Sequence, residues 1–250
     1  MIQEEKTYSA TKVRRKTIIS FVIFILFILL CITGWKWLYD QPKDNGALVP
    51  LRKGLQANEL LFSSLFSDKR LSKKFDITDV VPVARVNGKV GLTSQMDTSE
   101  YELQVVRNNG VTLKISMSDI RKLPKTEIIF DFKCIEGWNQ VTHWGGVRFS
   151  DFVKAYGLEK ESQMQFTGME TPDGKYYVGL DNKSMMHPQT LLCYEINGKS
   201  LPFNHGAPLR LIIPVKYGVK HLKRIGNIFF SDHRPRDYWY ERGYDYYCGL

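Results

Sequence analysis

The sequence lacks most of the short motifs that identify common enzyme classes. It contains no nucleophile elbow (G-x-S-x-G), no zinc-protease motif (H-E-x-x-H), no P-loop and no dinucleotide-binding glycine fingerprint. His143 and His187 have no partner at metal-ligand spacing. No internal repeat or low-complexity tract stands out. These absences argue against the motif-defined hydrolases, zinc proteases and nucleotide-binding enzymes, and against repeat proteins.

Cysteine is also scarce, with four residues in the chain. Cys31 lies inside a hydrophobic run, and Cys134, Cys193 and Cys248 are far apart, without a C-x-x-C pair or zinc-ligand spacing. This pattern excludes a disulfide framework as the basis of the fold. A single Cys193–Cys248 bridge would need an oxidising compartment, and we expect both thiols to stay free.

The clearest positive signal is a hydrophobic run near the N-terminus. Thr17–Trp35 has about 19 residues and no charge, the length that a membrane-spanning helix needs. Basic residues before it place the N-terminus in the cytoplasm by the positive-inside rule, namely Lys12, Arg14, Arg15 and Lys16. A cleaved signal peptide is the alternative, but the run is long for one and no small-x-small site follows it.

The chain accordingly divides into four predicted parts. These are a cytoplasmic tail (1–16), a transmembrane anchor (17–36), a linker with a short helix capped by Asn58 (37–74), and one globular domain (75–250). The linker is predicted because Pro42, Gly46, Pro50 and Gly54 occur there among polar residues.

The globular part is predicted to be an α+β domain with mixed sheets and short helices. Alternating or apolar segments predict strands at Tyr101–Val106, Val111–Ile115, Glu127–Phe132, Tyr176–Leu180, Leu191–Ile196, Leu209–Val215 and Ile225–Phe230. Asn109-Gly110 and Asn197-Gly198 predict hairpin turns. Ser150 predicts the start of a short helix, Asp151–Tyr156. Strands outnumber short helices, which argues against a parallel βαβ array.

Two features of this domain can carry chemistry. Cys134 follows an apolar strand in a glycine-containing loop, where a thiolate can act as a nucleophile or soft metal ligand; position alone favours a buried, inert cysteine. His205–Arg224 interleaves cations with an apolar segment, prolines and a glycine, which suits a phosphate or pyrophosphate as well as it suits a solvated basic face. The net charge of +9 fits several anionic partners, but the aromatics here form no stacking platform for nucleic acid.

Three stretches together resemble one known family. Phe132–Val153, Met186–Ile228 and Asp237–Tyr244, with the weaker Arg85–Gly91, are similar to segments of the sulfite oxidase-type molybdopterin oxidoreductases. Within that family the resemblance is greatest to the catalytic subunits of periplasmic methionine sulfoxide reductases. It spans about Phe75–Cys248, and it implies a sulfite oxidase-like molybdopterin-binding domain.

The resemblance also implies a cofactor and its ligands. Cys134 would be the molybdenum ligand of a molybdenum-molybdopterin cofactor. Tyr176 falls where sulfite-oxidising relatives carry an active-site tyrosine. Motif positions that would hold the pterin and its phosphate are occupied by Arg85, Asn87, His205, Arg210, Lys216, Tyr217, Gly218, Lys220 and Lys223. Arg224 departs from the family pattern, because many relatives have a tryptophan at this position.

The expected reaction is oxygen-atom or two-electron transfer, with reduction of an S- or N-oxide such as protein methionine sulfoxide. A sulfite-oxidising enzyme of the same family and a metal-free, membrane-tethered binding module are the alternatives. The domain is expected on the periplasmic side of the inner membrane, with electrons from a membrane haem or quinone-linked partner and with no nucleic-acid partner. Arg14-Arg15 then suggests a twin-arginine export signal. The short sequence after Tyr247 leaves no room for a dimerisation domain, which favours a monomer.

Overall fold

A long N-terminal helix precedes the globular domain in this computed structural model, which describes residues 9–93, 97–98 and 100–249. The helix, α1, runs over Ala10–Tyr39 and is capped by Ser9, whose side chain accepts a hydrogen bond from the backbone of Lys12. None of its side chains is buried against the domain. It is the one helix in the described part of the chain that is long and apolar enough to cross a membrane. A helix over the predicted apolar run is confirmed.

Residues 43–64, named the exit segment, form a compact structure after α1, where a linker was predicted. Strands β1 (Lys43–Asp44) and β2 (Ala47–Leu48) form a hairpin, and helix α2 spans Val49–Ser64. The prediction that Asn58 caps this helix is wrong, since the helix begins at Val49. Pro50 misled the prediction: proline is tolerated in the first helical turn, because the amides there have no intrahelical partner.

The described part of the domain contains one mixed sheet, one antiparallel sheet and three short α-helices. Its elements are, in chain order, β3 (Glu102–Val106), β4 (Thr112–Ser116), α3 (Met117–Arg121), β5 (Lys125–Lys133), β6 (Asn139–Arg148), α4 (Phe149–Ala155), β7 (Phe166–Glu170), β8 (Tyr177–Asp181), α5 (Asn182–Met185), β9 (Leu191–Ile196), β10 (Lys199–Ser200), β11 (Arg210–Ile212) and β12 (Asn227–Ser231). The predicted α+β class is confirmed.

One sheet has the order β4-β3-β12-β7-β8, and the other has β10-β9-β6-β5 with β11 also paired to β9. All pairs are antiparallel except β3 with β12. The main core contains Leu103, Phe149, Leu211 and Ile228, each fully buried. A second cluster, with Phe130, Phe132 and Trp144, lies beside β5 and β6. Two of its members, Phe132 and Trp144, also line a cleft beside the turn between β5 and β6.

Several predicted elements are confirmed and several need correction. The two Asn-Gly turns join β3 to β4 and β9 to β10, as predicted. Strands β6 and β7 were not predicted. The predicted cap Ser150 is wrong, because α4 begins at Phe149 with Arg148 before it. The predicted strand Leu209–Val215 shortens to Arg210–Ile212, since the flanking prolines donate no ladder hydrogen bond. Cys193 and Cys248 are free, as expected.

Candidate active site

The hairpin between β5 and β6 positions the Cys134 thiol. The two strands pair up to Lys133 and Asn139, so residues 134–138 form the turn. The Cys134 amide donates to the carbonyl of Trp138 at 2.9 Å, and Gly137 donates to the Cys134 carbonyl at 3.1 Å with a φ of +88°. Glycine fits this left-handed position without strain. The turn therefore holds Cys134 rigidly at the end of an apolar strand.

The thiol opens into a cleft of about 950 Å³. Eight of the predicted site residues line it: Arg85, Asn87, Cys134, Tyr176, His205, Arg210, Gly218 and Lys223. The Asn87 amide nitrogen is 3.8 Å from the Cys134 sulfur. Residues that are distant in sequence thus converge on one cleft.

Arg210 is a buried cation on the cleft wall. Its guanidinium lies 4.6 Å from the centre of the Trp144 ring and donates to the carbonyls of His205 (3.0 Å) and His221 (3.5 Å). Its Nε has no hydrogen-bond partner, and no carboxylate pairs with it among the residues that the structure describes. Burial lowers the pKa of Arg210 to about 10. A buried charge without a counterion is costly, so this position favours an anionic ligand.

Lys223 adds a second cation at the cleft. Its ammonium donates to the carbonyls of Asn87, Gly88 (3.2 Å) and Asn204 (3.3 Å), and so ties the strap of residues 85–92 to the domain. Burial, followed by repulsion from Arg210, lowers the pKa of Lys223 to about 8. Lys223 is therefore mostly charged at neutral pH and close to its titration point.

Two histidines near these cations are neutral. Burial, then Arg210 and Lys223, lower the pKa of His205 to about 4. Burial and Arg210 lower the pKa of His221 to about 3. The His221 Nδ1 accepts from the Ile213 amide (3.4 Å), so its Nε2 carries the proton that it donates to the Lys216 carbonyl (3.1 Å). His221, which also lines the cleft, is thus a fixed structural group.

Three predicted cofactor contacts, Lys216, Tyr217 and Lys220, are not among the described residues that line the cleft. The Lys216 ammonium pairs with Asp181 at 2.7 Å, and the Lys220 ammonium pairs with Asp237 at 2.5 Å. The Tyr217 amide donates to the Cys248 carbonyl at 3.0 Å. The Lys220 side chain and the Tyr217 backbone thus hold the closing segment against the domain, and the Lys216 side chain is bound to the end of β8.

Tyr176 does line the cleft, but its hydroxyl is already engaged. It donates to the Val219 carbonyl at 2.6 Å. Burial, then the nearby charge of Asp237, raises the pKa of Tyr176, so the phenol stays protonated. Arg224, the departure from the family pattern, is buried with its guanidinium 3.9 Å from the Phe203 ring centre, and is not among the cleft-lining residues described.

The predicted site residues did not include the aromatic part of the cleft wall, because a packing role was favoured for the aromatic tail (residues 232–247). Trp138, Trp144, Trp239 and Tyr244 all line it. The Arg85 guanidinium stacks 4.6 Å from the Trp138 ring centre, and Glu136 accepts a hydrogen bond from the Trp138 indole at 3.0 Å. Their positions could have identified them as site residues, because all four aromatics lie within the stretches that carry the family resemblance.

The residues present fit a molybdopterin. A rigid thiol can serve as a soft metal ligand. The unpaired Nε of Arg210, with Lys223 nearby, can serve an anionic phosphate. Gly218 lies against the Phe132 ring, where an added Cβ would come within 2.8 Å of that ring, and it leaves backbone exposed to the cleft.

Comparison with known proteins agrees with this geometry. The family model described as "Oxidoreductase molybdopterin binding domain" matches residues 90–239. The methionine-sulfoxide reductase catalytic subunit MsrP of Campylobacter jejuni is 34% identical over 60% of this chain and 55% of its own length. MsrP of Xanthomonas axonopodis is 34% identical over 51% of this chain and 44% of its own length. The chain thus spans about half the length of these relatives.

A solved structure supports the fold. The sulfane dehydrogenase SoxCD from Paracoccus pantotrophus has a TM-score of 0.50 and 17% identity, over 56% of this chain and 40% of that one. At this identity the likeness concerns the fold alone. The family model, in contrast, covers more than half of the chain, including Cys134 and the basic stretch. The chain therefore belongs to the family of oxidoreductase molybdopterin-binding domains.

Proposed function

We propose that this protein is a membrane-anchored molybdenum-molybdopterin oxidoreductase that reduces an S- or N-oxide, with protein methionine sulfoxide as the leading substrate. The observation that carries the proposal is the single cleft that contains both the Cys134 thiol and the uncompensated Arg210 cation. One group supplies a soft ligand for the metal, and the other supplies a site for the phosphate. A ligand that contains both a metal and a phosphate would bind both the Cys134 thiol and the Arg210 guanidinium.

Each residue of the cleft has a distinct role in this proposal. Cys134, as a thiolate, would hold the metal. Arg210 and Lys223 would bind the phosphate, and neutral His205 would offer hydrogen bonds without adding charge. Asn87 would orient the sulfur from 3.8 Å. The bound cofactor would supply two-electron and oxygen-atom transfer, while the protein positions it and limits the access of water.

The character of the cleft wall favours a sulfoxide over a small anion. Val90, Trp138, Trp239 and Tyr244 give the cleft an apolar and aromatic side. Sulfite would need several converging free cations, but the Arg85 guanidinium is stacked on Trp138, and in this proposal Arg210 and Lys223 bind the phosphate. The matched relatives are named methionine-sulfoxide reductases, which points to the same substrate class.

Helix α1 supports a membrane location. It is apolar, 30 residues long and unburied, and basic residues lie in its first turns. We infer a cytoplasmic N-terminus and a catalytic domain on the periplasmic side. Electrons would come from a membrane haem or quinone-linked partner. Because a folded, loaded domain would have to be exported, Arg14-Arg15 would act as a twin-arginine signal.

Turnover with artificial redox partners tests the substrate and the role of Cys134. The full chain, purified in detergent from its native membrane, is assayed with methionine-sulfoxide peptides and a reduced viologen dye, and with sulfite and ferricyanide. We expect sulfoxide reduction, and a Cys134→Ser variant should lose it by about 100-fold or more, as expected for loss of a metal ligand. The control is Cys31→Ser, which changes an exposed cysteine of α1.

The outcomes separate the alternatives. Sulfite oxidation without sulfoxide reduction would replace the proposed direction with its reverse. Absence of both activities in a metal-loaded protein would remove the proposed substrate. Equal loss in the Cys31→Ser and Cys134→Ser variants would contradict the specific role of the cleft thiol.

A further inference from the structure

An exposed hydrophobic patch lies at the far end of helix α2. Leu60, Leu61, Leu65 and Leu71 are 73%, 54%, 52% and 50% exposed. None of them is among the described residues that line the Cys134 cleft. A cluster of large exposed apolar side chains marks a contact surface for a partner or a membrane.

A groove with a basic rim continues from this patch. It has a volume of about 1090 Å³, and its apolar lining includes Phe62, Phe66, Phe75 and Val215. Arg70, Lys73 and Lys133 provide cations at the groove, against one carboxylate, Asp131. Lys133 lies 3.8 Å from that carboxylate, whereas no ion pair involves Arg70 or Lys73 in the described part of the chain. The groove therefore combines an apolar lining with two uncompensated cations.

The chain path places α2 beside the membrane exit. The Val49 amide donates to the Pro42 carbonyl at 2.9 Å, so α2 starts next to a residue only three positions after the end of α1. Arg52 fixes its first turns by donating to the carbonyls of Tyr240 (3.0 Å) and Tyr244 (2.7 Å). A helix of 16 residues is about 24 Å long, so the distal end of α2 lies about that far from its start beside the end of α1.

We propose that the distal half of α2 and residues 65–75 lie in the head-group region of the outer leaflet. An acyl chain of an anionic phospholipid occupies the groove, and its phosphate binds Arg70 and Lys73. Exposed leucines followed by lysine and arginine residues are typical of segments that lie in the membrane interface. This inference rests on the proposed membrane anchor, and it commits to a lipid because the patch combines apolar area with uncompensated positive charge next to that anchor.

The contact would orient the catalytic domain. Trp239 and Tyr244 line the Cys134 cleft, and Arg52 bonds the carbonyl of Tyr244 to the exit segment. With α2 held on the bilayer, this wall of the cleft is fixed relative to the membrane surface. The domain would then face the membrane in one orientation instead of rotating freely about the anchor.

Hydrogen exchange of the full chain in lipid nanodiscs tests the contact. Exchange of the amides of residues 65–75 is compared in discs of phosphatidylcholine alone, in discs that also contain phosphatidylglycerol, and in detergent. We expect exchange to be slower by about fivefold or more in the anionic discs. The double variant Arg70→Glu with Lys73→Glu should lose that protection. The control is Lys199→Glu, a charge reversal at an exposed lysine of β10.

Each outcome bears on a different claim. Failure of the protein to enter any disc would contradict the anchor and leave the cleft assignment untouched. Entry with equal exchange in all three environments would overturn the lipid contact alone. Equal protection in neutral and anionic discs, retained in the double variant, would overturn the phosphate site. If exchange is equal in all three environments but slower when the same measurement is made in native membrane vesicles, the patch binds a protein partner instead of a lipid.

Discussion

Two pairs of cations in the same basic stretch have opposite environments. Lys216 and Lys220 are buried, and each forms an ion pair with an aspartate. Arg210 and Lys223 face the cleft, and their polar and ring contacts among the described residues are with backbone carbonyls and an aromatic ring. The charges of the first pair are neutralised by aspartates of the protein, whereas the second pair has no carboxylate partner among the described residues. Within some fourteen residues, therefore, one set of charges serves the fold and the other set can serve a ligand.

The largest expected effect follows from breaking a structural pair. A Lys220→Met substitution leaves Asp237 buried without its cation, and that aspartate also accepts hydrogen bonds from the backbone of the closing segment. Removal of one partner of a buried pair costs about 3–5 kcal/mol of unfolding free energy. Urea unfolding in detergent measures this. The exposed Lys199→Met control should change stability by less than about 0.5 kcal/mol. Equal stability of the two variants would contradict a structural role for Lys220.

Arg210 should behave in the opposite way. An Arg210→Met substitution removes an uncompensated buried charge, so the cofactor-free protein should change stability by less than about 1.5 kcal/mol. Its pterin content, measured by fluorescence after release, should fall by about tenfold, which corresponds to about 1.4 kcal/mol of binding free energy. Severe unfolding of this variant, with normal pterin content in the folded remainder, would show that Arg210 stabilises the fold instead of binding the cofactor.

Lys223 should make anion binding depend on pH. The pKa of Lys223 in the folded protein is lowered to about 8. Its amine is therefore positively charged below pH 8 and loses this charge as the pH rises above 8. The affinity of the cofactor-free protein for sulfate, which does not titrate in this range, should therefore fall by up to about tenfold per pH unit above 8. Isothermal titration between pH 7 and 9 measures this. In a Lys223→Met variant the affinity should be weaker and independent of pH; an unchanged pH dependence would contradict the assignment.

The smallest expected effect concerns Tyr176. A Tyr176→Phe substitution removes the hydrogen bond to the Val219 carbonyl and should cost about 1 kcal/mol of stability. Because the hydroxyl is engaged in that bond, sulfoxide reduction should fall by less than about tenfold, compared with the much larger loss expected for a group that transfers a proton in the reaction. A loss of about 100-fold or more, with the unfolding free energy preserved, would return Tyr176 to the catalytic role implied by the family resemblance.

The sequence located the thiol correctly but did not separate the two kinds of cation. Glu127–Phe132 is a clear apolar strand, so Cys134 was expected at its end, as observed. Whether Lys216 faces a ligand or a carboxylate depends on Asp181, which lies 35 positions earlier in the chain and meets it only through tertiary packing. Local patterns contain no information on such a pairing.

The remaining errors have local causes. Strand β6 was missed because its residues Gly145 and Gly146 resemble a loop, although Gly146 has to be small: an added Cβ would lie 2.2 Å from the Leu192 carbonyl oxygen. The start of α2 was misplaced because a proline in the first turn was taken as a break. In both cases the residue type was interpreted without its position in the element.

Metal and pterin analysis of the full chain, purified from its native membrane, tests the central claim most directly. The account predicts about one molybdenum and one pterin per chain, loss of the metal in the Cys134→Ser variant and loss of the pterin in Arg210→Met, with both variants still folded. Native protein that contains neither molybdenum nor pterin, although it was made in cells that supply the cofactor, would contradict the account and favour a membrane-tethered binding module.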